Sequence, residues 1–338
     1  MMSITSNNFE EVKASDYQSD RQQDRKMAAE FFSKSEGDSE SGLEEVIGHQ
    51  ARTLTTEEAA KLDKDQTLVS EFKQRKFELD AQKNWDLFYK RNTTKFFKDR
   101  HWTKREFSEL ISEKQDYTVK TVLEVGCGVG NFIFPLLEED KNLYFHACDF
   151  SKRAVEFVKS HPQYDAARCN AFQCDLTVND LRDNVPPDTV DAVSMIFVLS
   201  AINPDKMLAA LHNVFQVIRP GGCILFRDYG LYDYAMLRFA PGHKLSDHFY
   251  VRQDGTRAYY FSLEKLESLM TSAGFTVSRN EYVKRETVNK KEGICVPRIF
   301  VQGKFVKPIA TSVDTDKQSS ITSSKSDGSS NKFSEQVT

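Results

Sequence analysis

Between Thr121 and Asp149 the chain reads TVLEVGCGVGNFIFPLLEEDKNLYFHACD. Two carboxylates, Glu124 and Asp149, bracket three glycines on alternate positions, Gly126, Gly128 and Gly130. Thr121 to Val125 is a short, β-branched apolar run of the kind that forms a buried parallel strand. A helix-like segment follows, then a second apolar run ending at Asp149. The order strand, glycine turn, helix, strand, carboxylate makes a nucleotide-type site at the carboxyl edge of a parallel sheet. A dinucleotide fingerprint needs G-x-G-x-x-G, and a P-loop needs Lys-Ser/Thr after its glycines. Residue 131 is Asn, so neither pattern is met. An uncharged turn beside Glu124 suits a ligand with a cationic amino acid part better than a phosphate. Asp149 is placed to accept both hydroxyls of a ribose. A glycine trio alone would only pack helix on strand; the trio with Glu124 and Asp149 in one βαβ frame favours a ligand. A nucleoside with a ribose diol, an adenine and no phosphate is S-adenosylmethionine (SAM).

Further strand ends extend this site. Ala171 to Asp175 reads as a third strand, where Asp175 can accept the adenine amino group and Leu176 can cover the ring. Val190 to Val198 is a near-continuous apolar run, hence a central buried strand, and Ile196 near its end can supply the other adenine wall. Cys223 to Phe226 is a fifth strand, ending in Arg227-Asp228-Tyr229. Methyl transfer is an in-line displacement, so the protein mainly aligns the reacting atoms. After Ile196 the chain reads Phe197-Val198-Leu199-Ser200, not the Asn/Asp-Pro-Pro-aromatic turn used on exocyclic amines. No Cys follows the fourth strand, which leaves covalent activation of a pyrimidine carbon unsupported. A ring nitrogen, a hydroxyl or a small-molecule amine remains as acceptor. A ring nitrogen becomes cationic on methylation, which favours a nearby carboxylate. Asp228 is the candidate catalytic residue, with Arg227 and Asp233 behind it, and an ordinary strand-end salt bridge is an equal reading of Asp228.

These strands need helices and flanks to hold them. Thr55-Thr56-Glu57-Glu58 opens a helix with capping-box character, and Asp65 to Asp80 continues it with Leu68, Val69, Phe72, Phe77 and Leu79. Ser151 caps a helix from Lys152 to Ser160; Asn203 caps the next, with Pro204 at its first position. Gly230 to Tyr260 is an irregular insert with a hairpin signal at Asp254-Gly255, and its place after the fifth strand makes it the natural substrate lid. Phe275 to Val283 and Arg298 to Lys307 alternate as strands. Residues 1–50 read as a disordered acidic leader and 309–338 as a disordered tail. Between them, 51–110 is a helical extension and 111–308 the catalytic domain containing insert 230–260.

The net charge of −4 hides an uneven distribution. Met1 to Ser70 holds 8 Lys/Arg against 15 Asp/Glu, whereas Glu71 to Leu110 holds 11 against 7 and Asn280 to Pro308 holds 7 against 3. In Lys83 to Phe107, Trp85, Phe88, Tyr89, Phe96, Phe97 and Trp102 are interleaved with Lys90, Arg91, Lys95, Lys98, Arg100 and His101. Docking the helix explains most of the rings; the density of base between them suits RNA, with rings for stacking and cations for phosphate. Lys284, Arg285, Lys290, Lys291 and Arg298 form a second basic segment. The six Cys include no C-x-x-C and fit no zinc pattern, so free thiols and no metal are expected. No apolar h-region and no apolar run of about 18 residues occur, so neither a secretory signal nor a membrane span is expected.

The residues also resemble a known family, the eukaryotic tRNA N3-methylcytidine methyltransferases. The likeness runs from about Ala51 to Pro308, through NWDLFYKRN (Asn84 to Asn92), FFKDRHW (Phe96 to Trp102), LEVGCGVGN (Leu123 to Asn131), ACDFS (Ala147 to Ser151), QCDLT (Gln173 to Thr177), FRDYGLYD (Phe226 to Asp233) and FYVRQDGTR (Phe249 to Arg257). The resemblance implies an α/β fold of the SAM-dependent methyltransferase Rossmann-like class: a mostly parallel seven-stranded sheet with an antiparallel edge strand, plus an N-terminal helical extension. It implies SAM contacts at Trp85, Tyr89, Gly126, Asp149, Asp175, Leu176 and Ile196. RNA would then be gripped by Lys90, Arg91, Lys95, Lys98, Arg100, Lys290, Lys291 and Arg298. RETVNKKEGICVPR (Arg285 to Arg298) looks like the branch acting on serine tRNAs, which implies cytidine at anticodon-loop position 32 and help from seryl-tRNA synthetase. A cytoplasmic enzyme, with the nucleus as a second compartment, and no DNA or membrane partner are expected. Two other readings stand beside it, a non-catalytic SAM-binding partner of tRNA and a small-molecule or protein methyltransferase.

Overall fold

A computed structural model describes residues 45–97, 99–100, 106–110, 118–289 and 294–309. The leader up to residue 44 and the tail from 310, both expected to be disordered, lie outside the described residues, as do Lys98, Lys290 and Lys291.

Five parallel strands form the centre: β2 (Lys120–Val125), β3 (Leu143–Asp149), β4 (Cys169–Gln173), β5 (Val190–Ile196) and β6 (Ile218–Tyr229). They lie in the order β6-β5-β2-β3-β4. The chain winds outward from β2 to β4, then crosses back to β5, so the strand order reverses between β2 and β5. That reversal opens a crevice at the carboxyl ends. Alternate residues face opposite layers, as the strand period requires. Leu123, Val125, Val193 and Met195 pack with α6 (Pro204–Val217) and α8 (Leu263–Ser272). Val122, Ala192 and Leu225 pack with α4 (Ile133–Glu139) and α5 (Lys152–Lys159).

The remaining strands differ from expectation. β10 (Thr276–Asn289) and β11 (Ile294–Val306) run through the basic segment expected as a connection, pairing as far as Asn289 with Ile294. Antiparallel β11 is not at the edge; it lies between β6 and β10. A hairpin can enter a sheet by either strand, and alternation alone does not say which becomes internal. Here β11 buries Ile299, Val301 and Phe305 completely or nearly so. An eighth strand, β1 (Val46–Gly48), pairs antiparallel with β10 at the outer edge, inside the segment read as a disordered leader. β4 stops at Gln173 rather than Asp175, and β6 starts at Ile218, passing through Gly221 at φ +79.

The extension comprises α1 (Thr56–Lys64), α2 (Glu71–Leu79) and α3 (Ala81–Asn92). Thr55 and Glu58 make the expected capping box. The chain breaks between Asp65 and Ser70 instead of continuing as one helix, and Phe72 and Leu79 are 78% and 85% exposed rather than packed. α3 is the docked helix. Its Phe88 meets Phe96 at 4.8 Å and Phe97 at 5.9 Å and joins Tyr89, Val129 and Ala154 in a separate small core. The insert contains α7 (Tyr234–Leu237) and a three-stranded sheet of β7 (Lys244–Ser246), β8 (Phe249–Val251) and β9 (Arg257–Tyr259), with Asp254-Gly255 in the connection between β8 and β9. Among the described residues no helix is long and apolar enough to cross a membrane.

Candidate functional site

At the crevice lies a cavity of about 360 Å³, lined by α2, α3, the glycine turn, the ends of β3 and β4, the turn after β5, and Arg257 of the insert. Ligand sites commonly occupy such switch points and volumes of about this order. The turn is made by Gly126 at φ +64, Gly128 at +54 and Gly130 at +91. A Cβ on Gly126 would stand 2.5 Å from Val198 Cγ2, and one on Gly130 would stand 2.2 Å from the Phe134 ring. Neither position tolerates a side chain without rebuilding the turn.

Asp149 ends β3 at the cavity wall. Its Oδ2 accepts from Gly128 N at 2.9 Å, and its Oδ1 accepts from Ser151 N at 2.8 Å. Burial raises its pKa to about 6, although those two N–H donors favour the ionised form. Ser151 caps α5 and donates from Oγ to Asp86 of α3 at 2.5 Å, so one short segment ties the glycine turn to the extension. Asp175 and Leu176 also line the cavity, and Asp175 is held by Thr177 N at 2.9 Å and Thr177 Oγ1 at 2.7 Å. Trp85 and Tyr89 close the opposite side, with ring centroids 6.1 Å apart. A Cβ on Gly128 would stand only 3.1 Å from the Tyr89 hydroxyl.

Glu124 is buried behind the turn rather than on the cavity wall. Burial pushes its carboxyl well above the usual range, with Arg100 opposing and Asp149 adding to the rise. Its Oε2 has no hydrogen-bond partner among the described residues. On the wall itself, the Asp149 and Asp175 carboxylates beside Gly126 form an acceptor set that fits a cationic nucleoside such as SAM.

Several expected roles change. Ile196 packs in the core on the α4/α5 side and does not line the cavity; Phe197, at φ +59, and Val198 do. Asp228 is fully buried and does not reach the cavity. Its Oδ2 accepts from Ser200 N at 2.9 Å and its Oδ1 from Tyr229 N at 2.8 Å, so it braces the turn that carries Phe197 and Val198. Asp233 caps α7 and pairs through Oδ2 with Arg298 Nε at 2.9 Å. Arg298 is 2% exposed, so it is an internal ion-pair partner and not an RNA-facing cation. Arg100 is also turned inward: its N donates to Asn131 O at 2.9 Å and its guanidinium lies 6.0 Å from the Phe197 ring. Lys90, Arg91 and Lys95 are exposed on and just after α3.

Sequence reasoning missed the residues that close the cavity. Glu78 pairs with Lys206 at 2.5 Å and with Arg257, and Asn203 Nδ2 donates to it at 3.3 Å. Gln82 of α3 donates to Phe150 O at 3.1 Å. These contacts join segments far apart in the chain, and the only local signal was the cap at Asn203.

The comparisons agree with this geometry. A methyltransferase-domain family model matches residues 123–224. A SAM-dependent methyltransferase from Anabaena variabilis superposes with a TM-score of 0.50 at 13% identity, over 67% of this chain and 95% of that one, which establishes the fold. The tRNA N(3)-cytidine methyltransferase METTL6 of Homo sapiens is 63% identical over 262 residues, covering 77% of this chain and 92% of that protein. The tRNA N(3)-methylcytidine methyltransferase Mettl2 of Drosophila melanogaster is 43% identical over 256 residues, 74% of this chain and 79% of that protein. Identity of that depth, over nine-tenths of a relative's length, goes well beyond a shared fold: the chain that builds this cavity belongs to the tRNA N(3)-cytidine methyltransferase family and is a SAM-dependent enzyme.

Proposed function

We propose that this protein methylates N3 of cytidine in tRNA, at anticodon-loop position 32 of serine isoacceptors, with seryl-tRNA synthetase as a helper. The observation that carries the reading is the coupling of one helix to both ligands: α3 lines the SAM cavity with Trp85 and presents Lys90 and Arg91 to solvent. Cytosine N3 lies on the Watson–Crick edge, so the base must be unstacked, at a cost of a few kcal/mol or less in a loop. Base–aromatic stacking of about 1–3 kcal/mol can offset that cost. Phe197, half-buried on the cavity wall, supplies such a ring.

When bound, SAM supplies an electrophilic methyl group. The chain's own work is alignment. Asp149 and Asp175 would hold the ribose and adenine. The turn after β5, braced by Asp228, sets the wall that faces the acceptor. The N3 lone pair needs no general base, so the burial of Asp228 away from the cavity does not obstruct transfer. The cytoplasm, with the nucleus as a second compartment, suits a tRNA-modifying enzyme.

Incubation of the purified protein with methyl-labelled SAM and total tRNA, with and without a synthetase-containing extract, tests the reading. N3-methylcytidine in digested serine tRNAs is expected. No label in cytidine under either condition overturns it.

A further inference from the structure

Glu45 is the first described residue, directly before the three-residue edge strand β1. β1 is weakly anchored by packing: Val46 and Ile47 are each more than half exposed. Its anchor is ionic. Glu45 Oε1 lies 2.9 Å from Arg285 Nε and 3.5 Å from Arg227 Nη2. Arg227 is 2% exposed, and burial lowers its pKa to about 10. Gln302, itself bonded to Glu106, accepts from Arg227 Nη1 at 3.0 Å, so Glu45 meets the other terminal nitrogen. Two guanidinium groups thus converge on one carboxylate supplied by a segment outside the sheet's centre.

The place matters. Arg227 lies 5.0 Å from the Phe300 ring, and Phe300 lies 5.6 Å edge-on from Phe197, which lines the cavity. Arg227 is thus linked to the cavity wall through two rings. Guanidinium groups bind carboxylate and phosphate with the same fork geometry. Residues 1–45 carry eleven Asp/Glu against five Lys/Arg, so the leader has the charge of a competing polyanion.

We propose that Arg285, backed by the buried Arg227, forms a phosphate-binding site for the substrate RNA, and that Glu45 of the chain's own leader occupies it and is displaced when RNA binds. The inference rests on the tRNA reading above for the identity of the RNA. The exchange is an exchange of anions, with no covalent step. It makes β1 a self-competing strap that raises the discrimination against weak, non-cognate polyanions.

Glu45→Gln, Arg285→Gln and the double variant, all in the full chain, separate this from a structural tie. Affinities for tRNA and for inorganic polyphosphate are measured across salt concentrations, with SAM affinity and thermal melting as controls. Glu45→Gln is expected to tighten tRNA binding about three- to fivefold and to steepen the salt slope by about 0.7, one phosphate contact. Arg285→Gln is expected to weaken binding, and the double variant to lose the gain of Glu45→Gln. A structural tie moves both single variants in the same direction. Unchanged or weaker binding by Glu45→Gln, or a gain that survives Arg285→Gln, overturns the proposal. If Glu45→Gln tightens polyphosphate while no variant binds tRNA, the anion site stands and the tRNA reading falls.

Discussion

Glu78 of α2 and Lys206 of α6 meet at 2.5 Å across the rim of the cavity, and Arg257 of β9 takes the other carboxylate oxygen. One side chain thus joins the extension, the core and the insert. Burial alone would raise the Glu78 pKa, but the hydrogen bonds to Lys206 and Arg257 hold it down at about 2. Because the folded-state value is depressed, the clamp's stabilisation is fully present above about pH 4.5 and is lost as pH falls from there toward 2. At neutral pH, Glu78→Gln is expected to weaken SAM binding about fivefold, through faster dissociation, in line with roughly 1 kcal/mol for a partly exposed pair. Stopped-flow displacement of bound SAM checks it. An unchanged dissociation rate would mean that α2 is held shut by other contacts.

Asp149 lines the cavity and also supports the glycine turn. Asp149→Ala removes the acceptor for Gly128 N and Ser151 N and any ligand hydroxyl. A loss of about 2–4 kcal/mol, roughly 30- to 1000-fold in SAM affinity, is expected from charged hydrogen bonds in a buried site. In the unaltered protein the raised pKa of about 6 predicts that SAM affinity declines as pH drops through 6, since protonation takes up an accepting oxygen. Calorimetric titration between pH 5 and 8 reads both effects, with Asp149→Asn flattening the profile.

Asp228 tests whether a buried strand-end acid acts in chemistry or in support. Its pKa is raised to about 6 chiefly by burial. A raised carboxyl favours the folded state at low pH, so its contribution to stability increases as pH falls from about 6 toward 4. Asp228→Ala strands the Ser200 and Tyr229 N–H groups, and a loss of about 2–4 kcal/mol in unfolding free energy is expected. Denaturant titration measures it. A variant with native stability and abolished turnover would restore Asp228 to the reaction itself.

The parts legible from sequence were those whose causes are local. The spacing of Gly126, Gly128 and Gly130 demands backbone that only glycine adopts readily, and the acid at the end of an apolar strand reads directly as Asp149. The caps at Thr55, Ser151 and Asn203 were equally local, because each side chain serves an N–H two or three residues on. What escaped was decided by distant packing. Nothing near Arg298 announces that Asp233, 65 residues earlier, will draw it inside. Phe197 takes a left-handed backbone in a turn whose Ser200 N–H is held by Asp228, far along the chain. Alternation marked β10 and β11 as strands, yet the inner position went to β11 through pairing with β6, a contact that no local pattern encodes.

The exposed cations after the α3 aromatics give the last expectation. Phe88 and Tyr89 are buried in the seam that docks the helix, which leaves Lys90, Arg91 and Lys95 facing solvent. Under the tRNA reading, cations in this position would add to RNA binding without touching the cofactor wall. Replacing all three by Ala is expected to weaken tRNA binding and reduce the salt slope by about 2, some 0.7 per lost phosphate contact. SAM affinity should stay the same, since none of the three lines the cavity. Filter binding across salt concentrations, beside calorimetry with SAM, separates the outcomes. A salt slope equal to that of the unaltered protein would place the RNA on another face of the molecule.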